Sequence, residues 1–382
     1  MAHEGGITII ERKALANEGD NQIHSPTITQ AAASNDASSG ALFTEADEVE
    51  STRVPSVSSV ELSIDTDNDA DSALGIEGDR ASSSASVASS VYRFVEEFGR
   101  TYHRYKEGSQ SPSLGLAKCL AADLATQAPQ QEQGRLDLQH EIALRILDDK
   151  LGLAPVENPQ RVLDIGTGTG IWAIEYADRN PGSDVLGSDL SPIQPQYVPS
   201  NCRFEIDDAE DEWLYTERFD YVHGRHLTTS IFDFPRLLGQ VYEHLRPGGW
   251  VEFQETVIDF RAVDGTLEGT ALRRWNDSLL EGMRRAGRDG RAALGLAGRM
   301  RAAGFRGVEE RRFAVPATPW ARGRRQKVLG AMQMTNNLEG VQGITMKIFT
   351  QVLGWSREEA ELLLVDVRKD MADRNIHAYL TM

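Results

Sequence analysis

The ten residues Arg161–Gly170, RVLDIGTGTG, restrict the fold more than any other part of the chain. Val162, Leu163 and Ile165 form the short apolar run that a buried parallel strand requires. Glycines follow at 166, 168 and 170, and a helical pattern begins near Ile171. Strand, glycine turn and helix start thus succeed one another without interruption. Glycine tolerates positive φ and, lacking Cβ, lets a ligand lie against the backbone. The helix start behind it presents unpaired N–H groups.

Glycine spacing of this kind serves dinucleotide and sulfonium cofactors alike, so the neighbouring acids have to decide between them. Asp164 precedes the first glycine, where it projects from the carboxyl end of the strand into the crevice. A carboxylate there is a poor neighbour for a pyrophosphate and a good one for a ligand carrying an ammonium and a sulfonium. Asp189 closes the run DVLGSD, where a second strand should stop, a place suited to ribose hydroxyls. These features favour S-adenosyl-L-methionine (SAM) over a dinucleotide.

The segments RVLDIGTGTGIWAIEYAD, GSDLSPIQPQYVPSNCRFEIDDAEDEW, FDYVHGRHL and LRPGGWVEFQE occur in that order. They resemble the fungal LaeA-like class I methyltransferases, over roughly Phe94 to Met382. The resemblance implies a Rossmann-like α/β fold: a seven-stranded, mostly parallel sheet with helices on both faces and a helical cap. It also implies that SAM is held by Asp164, Gly166, Thr167, Gly168 and Gly170 at the turn and by Asp189 and Leu190 after the second strand. Asp207, Asp208 and Ala209 after the third strand would meet the adenine, and Tyr102 and His223 complete the implied cofactor set. Without the resemblance, the acidic IDDAEDE would read as a solvated loop.

The N-terminal stretch reads differently. Residues 1–90 carry 16 acidic against 4 basic residues and scarcely any aromatics, so they offer little apolar surface to offset the entropy of ordering. The expectation is a disordered acidic tail over 1–90 and a methyltransferase domain over 91–382. Within the domain, an N-terminal helical lid spans 91–153, a Rossmann core 160–257 and a helical cap insertion 267–303. The formal charge of −18 is mostly a property of the tail and argues against nucleic-acid binding, which needs clustered Lys and Arg. Two cysteines, Cys119 and Cys202, indicate neither a disulfide framework nor a metal site. They suit a reducing compartment, cytoplasmic or nuclear, and no apolar run is long enough to span a membrane.

Val91, Phe94, Val95, Phe98, Tyr102 and Tyr105 recur at helical spacing. Core packing explains them; the resemblance adds that this helix folds over the cofactor. In RLDLQH, Asp137 and His140 share one side of a second helix, as a local polar pair or as residues near the cofactor. Strands are expected over 184–189, 202–206, 219–223, 250–257 and 308–315. The closing IHAYLTM is expected to insert antiparallel into the sheet, as the final strand does in class I methyltransferases.

His223 and His226 follow the fourth strand, whose carboxyl end faces the reacting group in such sheets, and are the two candidate catalytic residues. A buried structural histidine fits the same positions. Trp275, Asn276 and Met283, in the cap, are candidates for an acceptor pocket, or for its core packing. Thr229-Ser230-Ile231 stands where many relatives carry Gly-Ser-Ile, so the acceptor side departs from the family pattern. The expected activity is methyl transfer from SAM, in fungal secondary metabolism, to a small-molecule or protein acceptor. The alternative is a LaeA-like regulatory protein whose main role is joining a protein complex.

Overall fold

The structure, a computed structural model, describes residues 7–12, 62–65 and 129–382. The expected lid helix, Tyr102 included, and most of the acidic stretch lie outside them. The strands are β1 (Ile7–Arg12), β2 (Arg161–Ile165), β3 (Asp184–Asp189), β4 (Cys202–Ile206), β5 (Phe219–Arg225), β6 (Leu245–Glu255), β7 (Val257–Ala262), β8 (Arg306–Arg311), β9 (Ala314–Pro316) and β10 (Ala378–Thr381). The helices are α1 (Pro129–Ile146), α2 (Ile171–Arg179), α3 (Phe234–His244), α4 (Ala271–Arg285), α5 (Leu296–Ala302), α6 (Arg324–Lys347) and α7 (Arg357–Ala372).

Seven strands form the main sheet in the order β4-β3-β2-β5-β6-β1-β8, with β4 to β6 running parallel. Alternation along β2 sends Leu163 and Ile165 to one face and Val162 to the other. Leu163 and Ile165 pack with Leu237, Val241, Leu296 and Met300 from α3 and α5. On the opposite face Val162 and Val185 meet Trp172, Ala173 and Tyr176 of α2. Both faces are thereby covered, which is why the parallel strands read as continuous apolar runs.

Two expectations need correction here. Residues 7–12, within the presumed tail, form β1 inside the sheet, antiparallel to β6 from Ile7↔Glu255 to Arg12↔Trp250 and antiparallel to β8. The local run ITII is rich in β-branched residues, a signal that the composition of the whole stretch conceals. Ile64 likewise makes a β-bridge to Ala321, and Asp65 pairs with Lys327 of α6.

The closing strand takes a different place. β10 lies between β7 and β9 in a separate three-stranded sheet, and β1 occupies the antiparallel position of the main sheet. At the end of α7, Asp370 accepts a hydrogen bond from Leu272 N of α4 at 2.9 Å, and a short connection then leads to β10, which pairs with β7. This second sheet packs with α4, α6 and α7 around Phe260, Trp275, Phe349, Leu364 and Val367. No helix among the described residues is long and apolar enough to cross a membrane.

Candidate functional site

At the end of β2 the chain turns through Gly166, Gly168 and Gly170 with φ of 64°, 58° and 81°, left-handed values that an L side chain rarely adopts. Gly170 then begins α2. Asp164, 2% exposed, sits directly below. Its Oδ2 accepts from Thr167 Oγ1 at 2.6 Å, and its Oδ1 accepts from His223 Nδ1 at 2.7 Å. The His223 ring stacks on Trp172 with centroids 3.8 Å apart and planes 3° from parallel. Its Nε2 is buried without a hydrogen-bond partner among the described residues.

Asp189 on the neighbouring strand braces the same turn. Its Oδ2 accepts from Gly168 N at 2.8 Å and its Oδ1 from Ser191 N at 2.9 Å. A carboxylate has about four acceptor sites, so two remain for a ligand's hydroxyls. Burial raises its pKa, with the two backbone donors opposing that shift. A Cβ at Gly168 would touch nothing closer than Leu136 Cδ1 at 3.7 Å, which leaves room along the glycine backbone. Leu190, 46% exposed, presents an apolar surface beside it. Asp207, Asp208 and Ala209 follow β4, and the Ala209 carbonyl is fixed by Trp213 Nε1 and Gln240 Nε2.

Helix α1 closes the cavity from above. Asp137 accepts from Thr169 Oγ1 of the turn at 2.7 Å, and burial raises its pKa. His140 Nδ1 accepts from Arg225 Nη1 at 3.2 Å; because arginine has only donors, the ring proton sits on Nε2 and is donated to Glu175 at 2.6 Å. Burial lowers the His140 pKa, which keeps the ring neutral. Asp137 and His140, three residues apart in sequence, therefore meet the turn and the strand end respectively.

One cavity of roughly 490 Å³ is lined by Asp164, Gly168, Asp189, His140, His223 and Arg225 and continues past the turn to Phe260, Trp275, Val341, Ile344 and Leu380. His226, Glu255, Gln333 and Asn337 line its middle. His226 holds a left-handed φ of 57°, and its ring makes no hydrogen bond among the described residues. Enclosure by protein, with Arg225 and Arg135 adding to it, pushes its pKa down to about 3, so the ring is neutral near pH 7. Glu255 accepts from Leu227 N at 2.8 Å and from Thr228 N and Oγ1 at 3.1 and 2.9 Å; burial nevertheless raises its pKa to about 7.

Of the predicted cap residues, Trp275 lines the cavity while Asn276 and Met283 do not. Asn276 is consumed by the backbone of β7, accepting from Phe260 N at 2.9 Å, and Met283 packs into the cap core. Sequence reasoning did not single out Arg225, Glu255, Gln333 or Asn337. Arg225 and Glu255 carry a positional signal, since each ends a parallel strand at the crevice. Nothing in the local sequence announces Gln333 or Asn337.

The methyltransferase-domain family model matches residues 136–310. Methyltransferase pytC of Aspergillus terreus is 39% identical over 304 residues, covering 78% of this chain and 89% of that protein. The chain belongs to the fungal LaeA-like class I SAM-dependent methyltransferases. Protein-methionine methyltransferase laeA of Emericella nidulans is 33% identical over 296 residues, covering 75% of this chain and 74% of its own length. Secondary metabolism regulator laeA of Aspergillus fumigatus is 32% identical over 297 residues, with 75% and 74% covered. This methyltransferase therefore uses SAM, and the donor set fits it: a carboxylate at the turn for an ammonium, a second with acceptor sites to spare for a diol, and an open backbone at Gly168 between them.

Proposed function

We propose that this methyltransferase transfers the SAM methyl group to a small molecule with an apolar body, in secondary metabolism. The observation that carries the reading is the single cavity joining the glycine turn to the apolar compartment of Phe260, Trp275, Ile344 and Leu380. A compartment enclosed by both sheets' helices suits a compact acceptor better than a protein surface. The leaving group of a sulfonium is already activated, so the protein's main contribution is alignment, worth several kcal/mol.

In this reading Asp164 holds the cofactor's ammonium, Asp189 its ribose, and Leu190 with Asp207, Asp208 and Ala209 its adenine, over the backbone of Gly166, Thr167, Gly168 and Gly170. His223 positions Asp164 through Nδ1, and its buried Nε2 has no partner among the described residues with which to exchange a proton. His226 is the histidine that meets the acceptor: neutral and without a partner among the described residues, its ring can accept a hydrogen bond from an acceptor O–H or N–H. Glu255 holds the loop that carries it through Leu227 and Thr228.

Incubation of the full chain with methyl-labelled SAM and fungal extract separated by molecular mass tests the acceptor class. Label recovered in low-mass products supports the reading. Label confined to protein would move the acceptor class to proteins, in line with the name of the Emericella nidulans relative.

A further inference from the structure

We propose that Arg225 binds the carboxylate of the cofactor's amino-acid end. The inference rests on the reading of the glycine turn as the SAM site and adds a residue to it.

Strand register brings Arg225 to the required place. Asp164 on β2 pairs with His223 on β5, and Ile165 with Gly224, so Arg225 stands one residue further toward the crevice. It ends β5 on the same side of the pleat as His223 and lines the cavity. Asp164 and Arg225 thus flank the place where the amino-acid end of SAM, with one ammonium and one carboxylate, must lie.

The groups that touch Arg225 are uncharged, and Asp164, Glu252 and Glu175 act on its charge only from beyond contact distance. Its Nε donates to Gln254 Oε1 at 2.9 Å and its Nη1 to His140 Nδ1 at 3.2 Å, both neutral groups. Nη2 makes no hydrogen bond among the described residues, and no carboxylate of those residues lies within ion-pair distance. Arg135, which lines the same cavity, differs: Glu132 accepts from both its Nε and its Nη2. An enclosed guanidinium with no carboxylate in contact keeps part of its N–H fork open to an anion that can touch it. A planar guanidinium matches a carboxylate with two parallel N–H bonds, and the cofactor carries one carboxylate. The two neutral partners fix the fork in place, and Glu175 fixes His140 in turn at 2.6 Å. Arg225 is pre-aimed, at no cost in side-chain ordering when the ligand enters.

Two ligands that differ only in the carboxylate test this directly. Titration calorimetry on the full chain compares S-adenosylhomocysteine with its decarboxylated analogue, for the wild type, Arg225→Gln, Arg225→Lys and Asp189→Ala. The wild type should bind S-adenosylhomocysteine roughly tenfold to a hundredfold more tightly than the analogue, as loss of a charge-assisted hydrogen bond requires. Arg225→Gln should bind the two alike, at about the wild-type affinity for the analogue, and Arg225→Lys should keep part of the preference. Asp189→Ala should weaken both ligands equally. Equal wild-type affinities overturn the proposal, as does a glutamine variant that weakens both ligands and keeps the preference, the result expected of a merely structural arginine. Should Arg225→Gln not fold, the wild-type ratio and the lysine variant still decide. Unchanged binding in Asp189→Ala would instead overturn the cofactor-site reading, and this proposal with it.

Discussion

Asp164 and His223 face each other across adjacent parallel strands, Oδ1 2.7 Å from Nδ1, both essentially buried beneath the glycine turn. Trp172 covers the far face of the imidazole. The contact couples the acid that precedes the first glycine to the strand that ends at the cavity. Its loss should be felt as stability first. His223→Ala would leave Asp164 without one of its two side-chain donors and open a gap beside Trp172, at a cost of about 3 kcal/mol. Urea denaturation measures that cost. A variant of wild-type stability with turnover abolished would instead make His223 a proton-transfer group.

His226 should not titrate in the physiological range. Its pKa, pushed down to about 3 from an ordinary value near 6.5, means the folded protein prefers the neutral ring. The stability this represents is present above pH 6.5 and is lost as pH falls toward 3. In an NMR titration of labelled histidines, the His226 resonance should stay constant between pH 5 and pH 8. If the ring meets the acceptor as proposed, His226→Ala should lower turnover by about a hundredfold while leaving SAM affinity near wild type.

Glu255 predicts the opposite pH trend. Its folded pKa of about 7 exceeds the ordinary 4.5, so the folded state holds the proton more tightly than the unfolded chain. The associated stability is complete below pH 4.5 and is lost as pH rises through 7, by about 3 kcal/mol across that window. Glu255→Gln should flatten this slope in denaturation curves recorded from pH 5 to pH 8. An unchanged slope would assign the effect to another group.

Strand β1 offers a test of the fold itself. Ile9 pairs with Phe253 on one side and with Glu310 on the other. Proline there removes a ladder donor from an interior strand, so Ile9→Pro should cost about 3 kcal/mol or more, read as a fall in Tm. A Tm equal to that of the wild type would show that β1 contributes nothing to the sheet.

Much of this arrangement was legible in the sequence because its signals are local. Apolar runs ending in Asp164 and Asp189, the glycine turn, and Pro235 at the start of α3 identify the first elements of the parallel sheet within a residue or two, whereas β6 begins at Leu245, five residues before the expected start. The Ser356 capping box at α7 is of the same kind. What was not legible depends on distance along the chain. That β1 fills the antiparallel position is decided by pairing across more than two hundred residues, between Ile7 and Glu255. Arg225 gains its meaning from His140, 85 positions away, and Asn337 gains its from the curvature of a cavity wall. The acidic composition of residues 1–90 concealed ITIIER because averaging over ninety residues erases a six-residue strand.

The central claim is that SAM is bound across the turn between Asp164 and Asp189. Calorimetric titration of the full-length chain with SAM, beside Asp189→Ala shown by circular dichroism to be folded, tests it most directly. One-to-one binding in the wild type, weakened at least tenfold in the variant, is the predicted result. Equal affinities for the two proteins would contradict the account and place the cofactor elsewhere.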